Sequence, residues 1–227
     1  MNHKRLNVIE LSNLNPDKIL QLEVIKYLKN KKFKKVLDYG AGNSPYRKFV
    51  KCDEYKTLDI AQNKKKNVNI IIKPNSKIPI KKNYFDFILL IDVISHIYDF
   101  DSVLKECHRV LKKKGKILIF TPFIYRENET PNDYWRFTSF AIKKIVSKHK
   151  YKNIKIKKIG NAKFTIYSIN QEKNIMNKEI INSHLINRVI KKIMNYVLLP
   201  FYNILIFEKP PLENSGTYHH LMTIAKK

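Results

Sequence analysis

The sequence predicts an α/β fold: a seven-stranded, mainly parallel sheet with helices on both faces and an antiparallel last strand. Three observations carry this reading. Short apolar runs alternate with helical stretches along the chain, the pattern of parallel strands joined by helical crossovers. One of those runs, Val36-Leu37-Asp38-Tyr39, breaks into the turn Gly40-Ala41-Gly42. The next run ends on an acid, Asp59, 21 residues beyond Asp38.

The elements follow in order. Asn15 as N-cap, Pro16 at the first helical position and Asp17 beside it open a helix. Ile19, Leu20, Leu22, Ile25 and Leu28 form its apolar stripe. Strands are expected at 35–39, 55–59, 68–72, 85–91, 116–121, 154–159 and 218–225. A further helix is expected directly after the Gly-x-Gly turn. Between the fourth and fifth strands Asp101 caps a helix that runs to Lys112 and buries Val103, Leu104, Cys107, Val110 and Leu111. Gly115 closes the turn after it, and another helix runs from Thr138 to about His149. The Lys-rich patches at 29–35, 64–66 and 112–116 read as solvated turns. On this reading residues 1–170 form the core with its N-terminal helix, 171–210 a helical insert, and 211–227 the strand that completes the sheet.

Composition narrows the function classes. With 44% hydrophobic residues, including 12 Phe and 13 Tyr among 227, the chain can bury a core, which excludes a disordered protein. Its formal charge of +26 would attract polyanions: RNA, DNA, acidic glycans or anionic lipid. The basic residues are nearly all Lys, spread among Asn and Ile, with no Arg-rich or aromatic–basic stretch that marks nucleic-acid binding. Cys52 and Cys107 are the only cysteines, so a zinc site or disulfide framework is not expected and a cytoplasmic setting fits. Met1–Leu14 lacks the apolar run of a secretory signal. The longest charge-free apolar stretch, Ile193–Phe207, is interrupted by Pro200 and falls short of the ~20 residues of a membrane span.

The chemistry concentrates at the Gly-x-Gly turn. Glycine permits the tight turn and lets a ligand approach the backbone. Dinucleotide-binding folds use the same geometry for a pyrophosphate, with a third glycine that is missing here. Asp38, just before the turn, would repel a pyrophosphate but pair with an ammonium group, which points to a ligand carrying an amino acid. Asp59 at the end of the next strand is placed to accept two ribose hydroxyls. His96 is the candidate general base, since imidazole titrates near neutrality; a histidine that holds its loop by hydrogen bonds is the alternative. Asp92 either lines the cleft or caps its strand. Tyr125, Asp133, Tyr134, Trp135 and Arg136 form a polar, aromatic loop that binds acceptor or closes over it, unless Asp133 and Arg136 simply pair and pin the loop. His219 and His220 read as structural.

These stretches resemble the class I S-adenosylmethionine-dependent methyltransferases, in their type 11-like branch. The resemblance rests on the Gly-x-Gly turn with Asp38 and Asp59, on Tyr84-Phe85-Asp86-Phe87-Ile88-Leu89-Leu90-Ile91-Asp92-Val93-Ile94-Ser95-His96, and on Leu104 to Lys112 with Gly115. Thr121-Pro122-Phe123 and Pro131 to Thr138 are similar to a subgroup of surface-polysaccharide and sugar-modifying enzymes. The resemblance spans 33 to about 160. It implies a Rossmann-like sheet and S-adenosylmethionine bound by Asp38, Gly40, Gly42, Asp59, Ile60, Asn75 and Asp92, with no metal. It further implies O-methylation of a sugar or other small-molecule or glycan acceptor, held by Tyr125, Asp133, Tyr134 and Arg136. Two positions depart from the pattern: Lys73-Pro74-Asn75-Ser76 lacks the family's acid after strand three, and Ser95 stands before His96 where the family has Glu. An RNA methyltransferase, suggested by charge, and a non-catalytic cofactor-binding partner subunit, suggested by those departures, remain as alternatives.

The segment 181–207 stands apart. Ile181, Leu185, Val189, Ile193 and Val197 recur every four residues, with Arg188, Lys191 and Lys192 opposite. This is an amphipathic helix with a basic face. It is expected to pack on its own domain or across a homodimer, or to lie on an anionic membrane surface at the inner face of the membrane.

Overall fold

The computed structural model describes residues 16–162, 164–166, 168–169 and 216–227. The insert expected at 171–210, with its amphipathic helix, lies outside the described residues. The chain divides into two compact units: Val24–Lys158 with His220–Lys227, and Met1–Glu23 with Ile159–His219.

The first unit is built on a seven-stranded sheet. Its elements are α1 (Pro16–Lys29, shared by both units), β1 (Lys32–Tyr39), a 3₁₀ turn (Arg47–Phe49), β2 (Lys51–Asp59), β3 (Ile70–Ile71) and β4 (Phe85–Ile91). A second 3₁₀ turn (Ile94–His96) follows, then α2 (Phe100–Val110), β5 (Leu111–Pro122), α3 (Ser139–Lys148), β6 (Lys152–Ile159) and β7 (His220–Lys226). The strand order is β3-β2-β1-β4-β5-β7-β6. β1, β2, β3, β4 and β5 pair in parallel and β7 runs antiparallel to β5. This is the Rossmann-like, mainly parallel sheet expected.

Val36, Leu37, Phe87, Ile88, Leu89, Leu90, Ile117, Leu118 and Ile119 are fully buried. Central strands covered on both faces can carry no alternation, which is why they read as unbroken apolar runs. The register sets Tyr39 beside Leu58 and Leu90, Ile91 beside Phe120, and Pro122 beside His220. The carboxyl ends of β1, β2, β4 and β5 and the start of β7 therefore share one edge.

The structure corrects several expectations. No α-helix follows the Gly-x-Gly turn: only the 3₁₀ turn Arg47–Phe49 separates it from β2, which starts at Lys51 instead of 55. Residues 40–50 are too few for two loops and a helix of several turns, since a helical crossover takes a dozen residues or more. The cap of α2 is Asp99, whose Oδ1 accepts from Ser102 N at 3.1 Å. Asp101, expected there, instead meets His149 Nε2 at 2.5 Å and Lys148 Nζ at 3.0 Å. The patch 112–116 belongs to β5, whose register against β4 shifts between Phe85 and Phe87. β3 is shorter than the expected 68–72 and covers only Ile70–Ile71, with Asn69 N and Ile72 N still donating to Thr57 O and Asp59 O of β2 at either side.

In the second unit, His219 N donates to Ile159 O at 2.9 Å and His219 Nε2 lies 2.9 Å from Ser168 Oγ. His219 and Ser168 are both buried. Among the described residues no helix is long and apolar enough to cross a membrane.

Lys227 ties β7 to the end of α2. Its Nζ donates to His108 O at 2.6 Å, Leu111 O at 2.7 Å and Asn83 Oδ1 at 2.9 Å. Those carbonyls lie where a helix C-terminus leaves acceptors unsatisfied. Lys227→Met, which keeps the stem but removes the donor, is expected to lower the unfolding free energy by about 1–2 kcal/mol in urea. An unchanged midpoint would show that water replaces the ammonium without cost.

Candidate functional site

The turn after β1 is shaped by two different demands. Gly40 has φ +68°, and a Cβ there would come within 2.3 Å of Val93 Cγ2. Its N–H and that of Ala41 both donate to Leu58 O, at 2.8 and 3.1 Å, which locks the turn onto the end of β2. Gly42 also has positive φ, +50°, but nothing lies within 4 Å of where its Cβ would be. The first glycine is needed by the protein's own packing, and the second faces open space.

The acids gather around this turn. Asp38 is 3% exposed, and its Oδ2 accepts from Tyr55 Oη at 2.7 Å. Burial pushes its carboxyl up to about 6; the Asp59 charge pushes the same way and the Tyr55 bond opposes both. Asp59 accepts from Ile60 N at 2.7 Å through Oδ1 and from Gly42 N at 2.8 Å through Oδ2. Ile60 beside it is 64% exposed. Asp92 ends β4 with φ +53°, and its N–H donates to Phe120 O at 2.8 Å. Asn75, with φ +59°, sits exposed in the turn after β3. No contact links Asn75 with the two acids among the described residues.

His96 lies in the 3₁₀ turn after β4. Its Nδ1 is 3.0 Å from Asn132 O and 3.9 Å from Asp133 Oδ1. An Nδ1–H donated to that carbonyl leaves Nε2 as the acceptor. Asp133 is held by Arg136 through two bonds, of 2.5 and 2.6 Å, and by Asn128 N at 2.7 Å. The Arg136 bonds hold its carboxyl below the usual range. Arg136 also donates to Arg126 O at 2.9 Å. Both residues are committed to the loop. Tyr134 and Trp135 both donate their N–H to Ser95 O, at 2.9 and 3.2 Å, which docks the loop against the His96 turn. Tyr134 (43% exposed) meets Tyr98 (72% exposed) edge to face, with centroids 5.6 Å apart.

Two participants escaped the sequence reading. His220 Nε2 lies 3.5 Å from Asp92 Oδ1, with its ring stacked on Phe120 at 4.8 Å and edge-on to Tyr125 at 5.7 Å. The antiparallel last strand was the available signal, because it brings its first residue to the carboxyl end of β5. Tyr55 is the other. It lies two residues before Thr57, the register partner of Asp38, on the same face of β2, a placement that follows once the β1–β2 register is known.

The two glycines should separate in experiment. Gly40→Ala is expected to destabilise the fold by more than about 2 kcal/mol, through the Val93 clash and the strained φ together. Gly42→Ala should cost only about 1 kcal/mol, from the backbone alone. Equal unfolding midpoints for the two variants would contradict the Gly40–Val93 contact.

Residues 37–119 match the family model described as a methyltransferase domain. An uncharacterised protein of Methanocaldococcus jannaschii is 32% identical over 120 residues, 50% of this chain and 53% of its own. The demethylmenaquinone methyltransferase of Thermotoga maritima is 30% identical over 122 residues, 51% of this chain and 48% of its own. The chain thus spans about half the length of the curated relatives it matches. Among solved structures, phosphoethanolamine N-methyltransferase 2 of Haemonchus contortus, in complex with S-adenosyl-L-methionine, superposes with a TM-score of 0.58 at 17% identity. That match covers 92% of this chain and 52% of the other. Residues 37–119 thus resemble a methyltransferase domain, and the sheet that carries them has the fold of S-adenosylmethionine-dependent methyltransferases.

Proposed function

We propose that the chain transfers a methyl group from S-adenosylmethionine to a hydroxyl of a sugar or other small-molecule or glycan acceptor. The cofactor half rests on the turn. A buried carboxylate, a glycine with open space beside it, a second acid and an exposed isoleucine fit an amino-acid end, a ribose and an apolar ring in that order. Asp38, Gly40 and Gly42 would hold the methionine end, Asp59 the ribose hydroxyls and Ile60 the adenine, with Asn75 and Asp92 at the rim. The cofactor supplies a methyl group already activated on a sulfonium. The protein's task is then alignment of the acceptor and removal of its proton.

The single observation that carries the acceptor half is His96. Its Nδ1 is engaged by Asn132 O, and the Asp133–Arg136 pair fixes the loop that supplies this carbonyl. That leaves Nε2 to accept a hydroxyl proton. Asp133 and Arg136, expected to bind acceptor, act in this reading by orienting His96. Tyr98 and Tyr134 offer exposed ring faces and edges of the kind sugars pack on. A flat aromatic acceptor is the second reading, favoured by the same two rings.

His96→Ala should lower turnover by ~10²–10⁴ with cofactor affinity unchanged. A variant that loses cofactor affinity in step with turnover would assign His96 to the pocket wall instead.

Asp38 sets a second pH dependence. Its raised carboxyl is protonated in the free protein below about 6, and a cationic ligand favours the ionised form. Affinity for S-adenosylmethionine should therefore rise toward pH 6 and flatten above it. Folding has the opposite sense from this group, losing stability as pH rises from the ordinary carboxylate range to about 6. Tyr55→Phe removes a bond to the ionised form and should move the break in the binding curve to higher pH. Asp38→Asn should flatten the curve. Calorimetry that finds the same break in wild type and Asp38→Asn would sink the assignment.

A further inference from the structure

Beside the short β1–β2 crossover, which carries only a 3₁₀ turn, lies a recess of about 690 Å³. Its wall carries three cations, Arg47, Lys48 and Lys65, and no carboxylate. Arg47 is held in place: its Nη1 donates to Val50 O at 3.2 Å and its guanidinium lies 4.8 Å from the Tyr55 ring centroid. The remaining guanidinium donors are free of that bond. Ser44 also lines the recess, is 9% exposed and is held at φ +52°. Its Oγ is fully buried and has no hydrogen-bond partner. A buried hydroxyl left unpaired costs about 1–3 kcal/mol; of the buried hydroxyls without a partner among the described residues, Ser44 is the one at the wall of this recess.

Thr57, Asn67 and Asn69 in the same wall are bonded to one another. Thr57 Oγ1 donates to Asn67 O at 2.6 Å, and Thr57 N donates to Asn69 Oδ1 at 2.9 Å. The recess is also wired to the cofactor turn, because Asn63 Nδ2 donates to Gly42 O at 2.5 Å and also to Asn67 Oδ1. None of Asp38, Gly40, Gly42 or Asp59 lines it.

From these observations we infer that the recess binds the phosphate group of a phosphorylated small molecule, at a site separate from the cofactor. A planar guanidinium, two ammonium groups and an unpartnered hydroxyl match an oxyanion with several acceptor oxygens and more than one charge better than a single carboxylate. The volume suits a ligand of nucleotide size. The inference does not depend on which acceptor is methylated.

Pyrophosphate is the probe, titrated by calorimetry into the full chain saturated with S-adenosylhomocysteine, at constant ionic strength. Saturable one-to-one binding is expected, weakened at least about tenfold by Lys65→Gln and by Arg47→Gln. Ser44→Ala should weaken it less, and Lys113→Gln, on the β5 bulge, should leave it unchanged. Circular dichroism checks that each variant is folded. Equal loss in Lys113→Gln would mean that the general positive charge, and no built site, holds the anion. Loss of pyrophosphate binding on adding S-adenosylhomocysteine would show the recess to be part of the cofactor site. A short single-stranded RNA that binds with the same Arg47 and Lys65 dependence while pyrophosphate does not would overturn the small-molecule assignment.

Discussion

Gly40 and Val93 touch because β1 and β4 are neighbours, and the functional edge depends on that touch. With no Cβ at Gly40, the turn after β1 folds against the residue that follows Asp92. The same turn is bonded to the end of β2 through Leu58 O. Three strand ends are thereby held together by the turn's own hydrogen bonds and by its packing on Val93, independently of the acids of the site. Asp38, Asp59 and Asp92 inherit their places from this arrangement. Positive φ at Gly42, and at Asp92 where a side chain makes it strained, sits around it.

The site divides into a part that recognises charge and a part that is fixed by it. Asp38 is a carboxylate the fold keeps poorly solvated, with Tyr55 as partner, so it holds an unmet preference for a cation. Asp133 is the reverse case: Arg136 meets it fully, and the pair spends its charge on keeping a loop and a histidine in register. The distinction matters for reading acids in a cleft. Two buried carboxylates at the same sheet edge do different work according to whether a guanidinium reaches them.

Much of the fold was legible because its signals are local. β4 and the centre of β5 are buried on both faces and announce themselves as apolar runs, and Thr138 caps α3 where its side chain predicts. The acids ending β1 and β2 were readable from their position after a strand. The crossover was not: Asn43-Ser44-Pro45 gives no hint that the chain returns to the sheet without a helix, because that depends on where β2 begins. Lys51 to Glu54 is too charged and too exposed to look like a strand, and only pairing with β1 makes it one. Asp101 has the side chain of a cap, but its contacts with His149 and Lys148 take it elsewhere and Asp99 caps α2 in its place. His220 escaped for a similar reason, since its role depends on a pairing between strands almost a hundred residues apart in the chain.

The position of β7 has a consequence for how the chain folds as it is made. β7 lies between β5 and β6 in the sheet, yet residues 160–219 separate it from β6 in the chain. Until residues 220–226 emerge from the ribosome, β5 is an open edge with Ile117, Leu118 and Ile119 along it, and β6 has no neighbour to pair with. A long, apolar, unpaired edge is the kind of surface that recruits other strands. The nascent protein thus carries its most adhesive surface through the synthesis of its whole connecting segment, a window in which chaperone capture and intermolecular pairing compete with closure of the sheet.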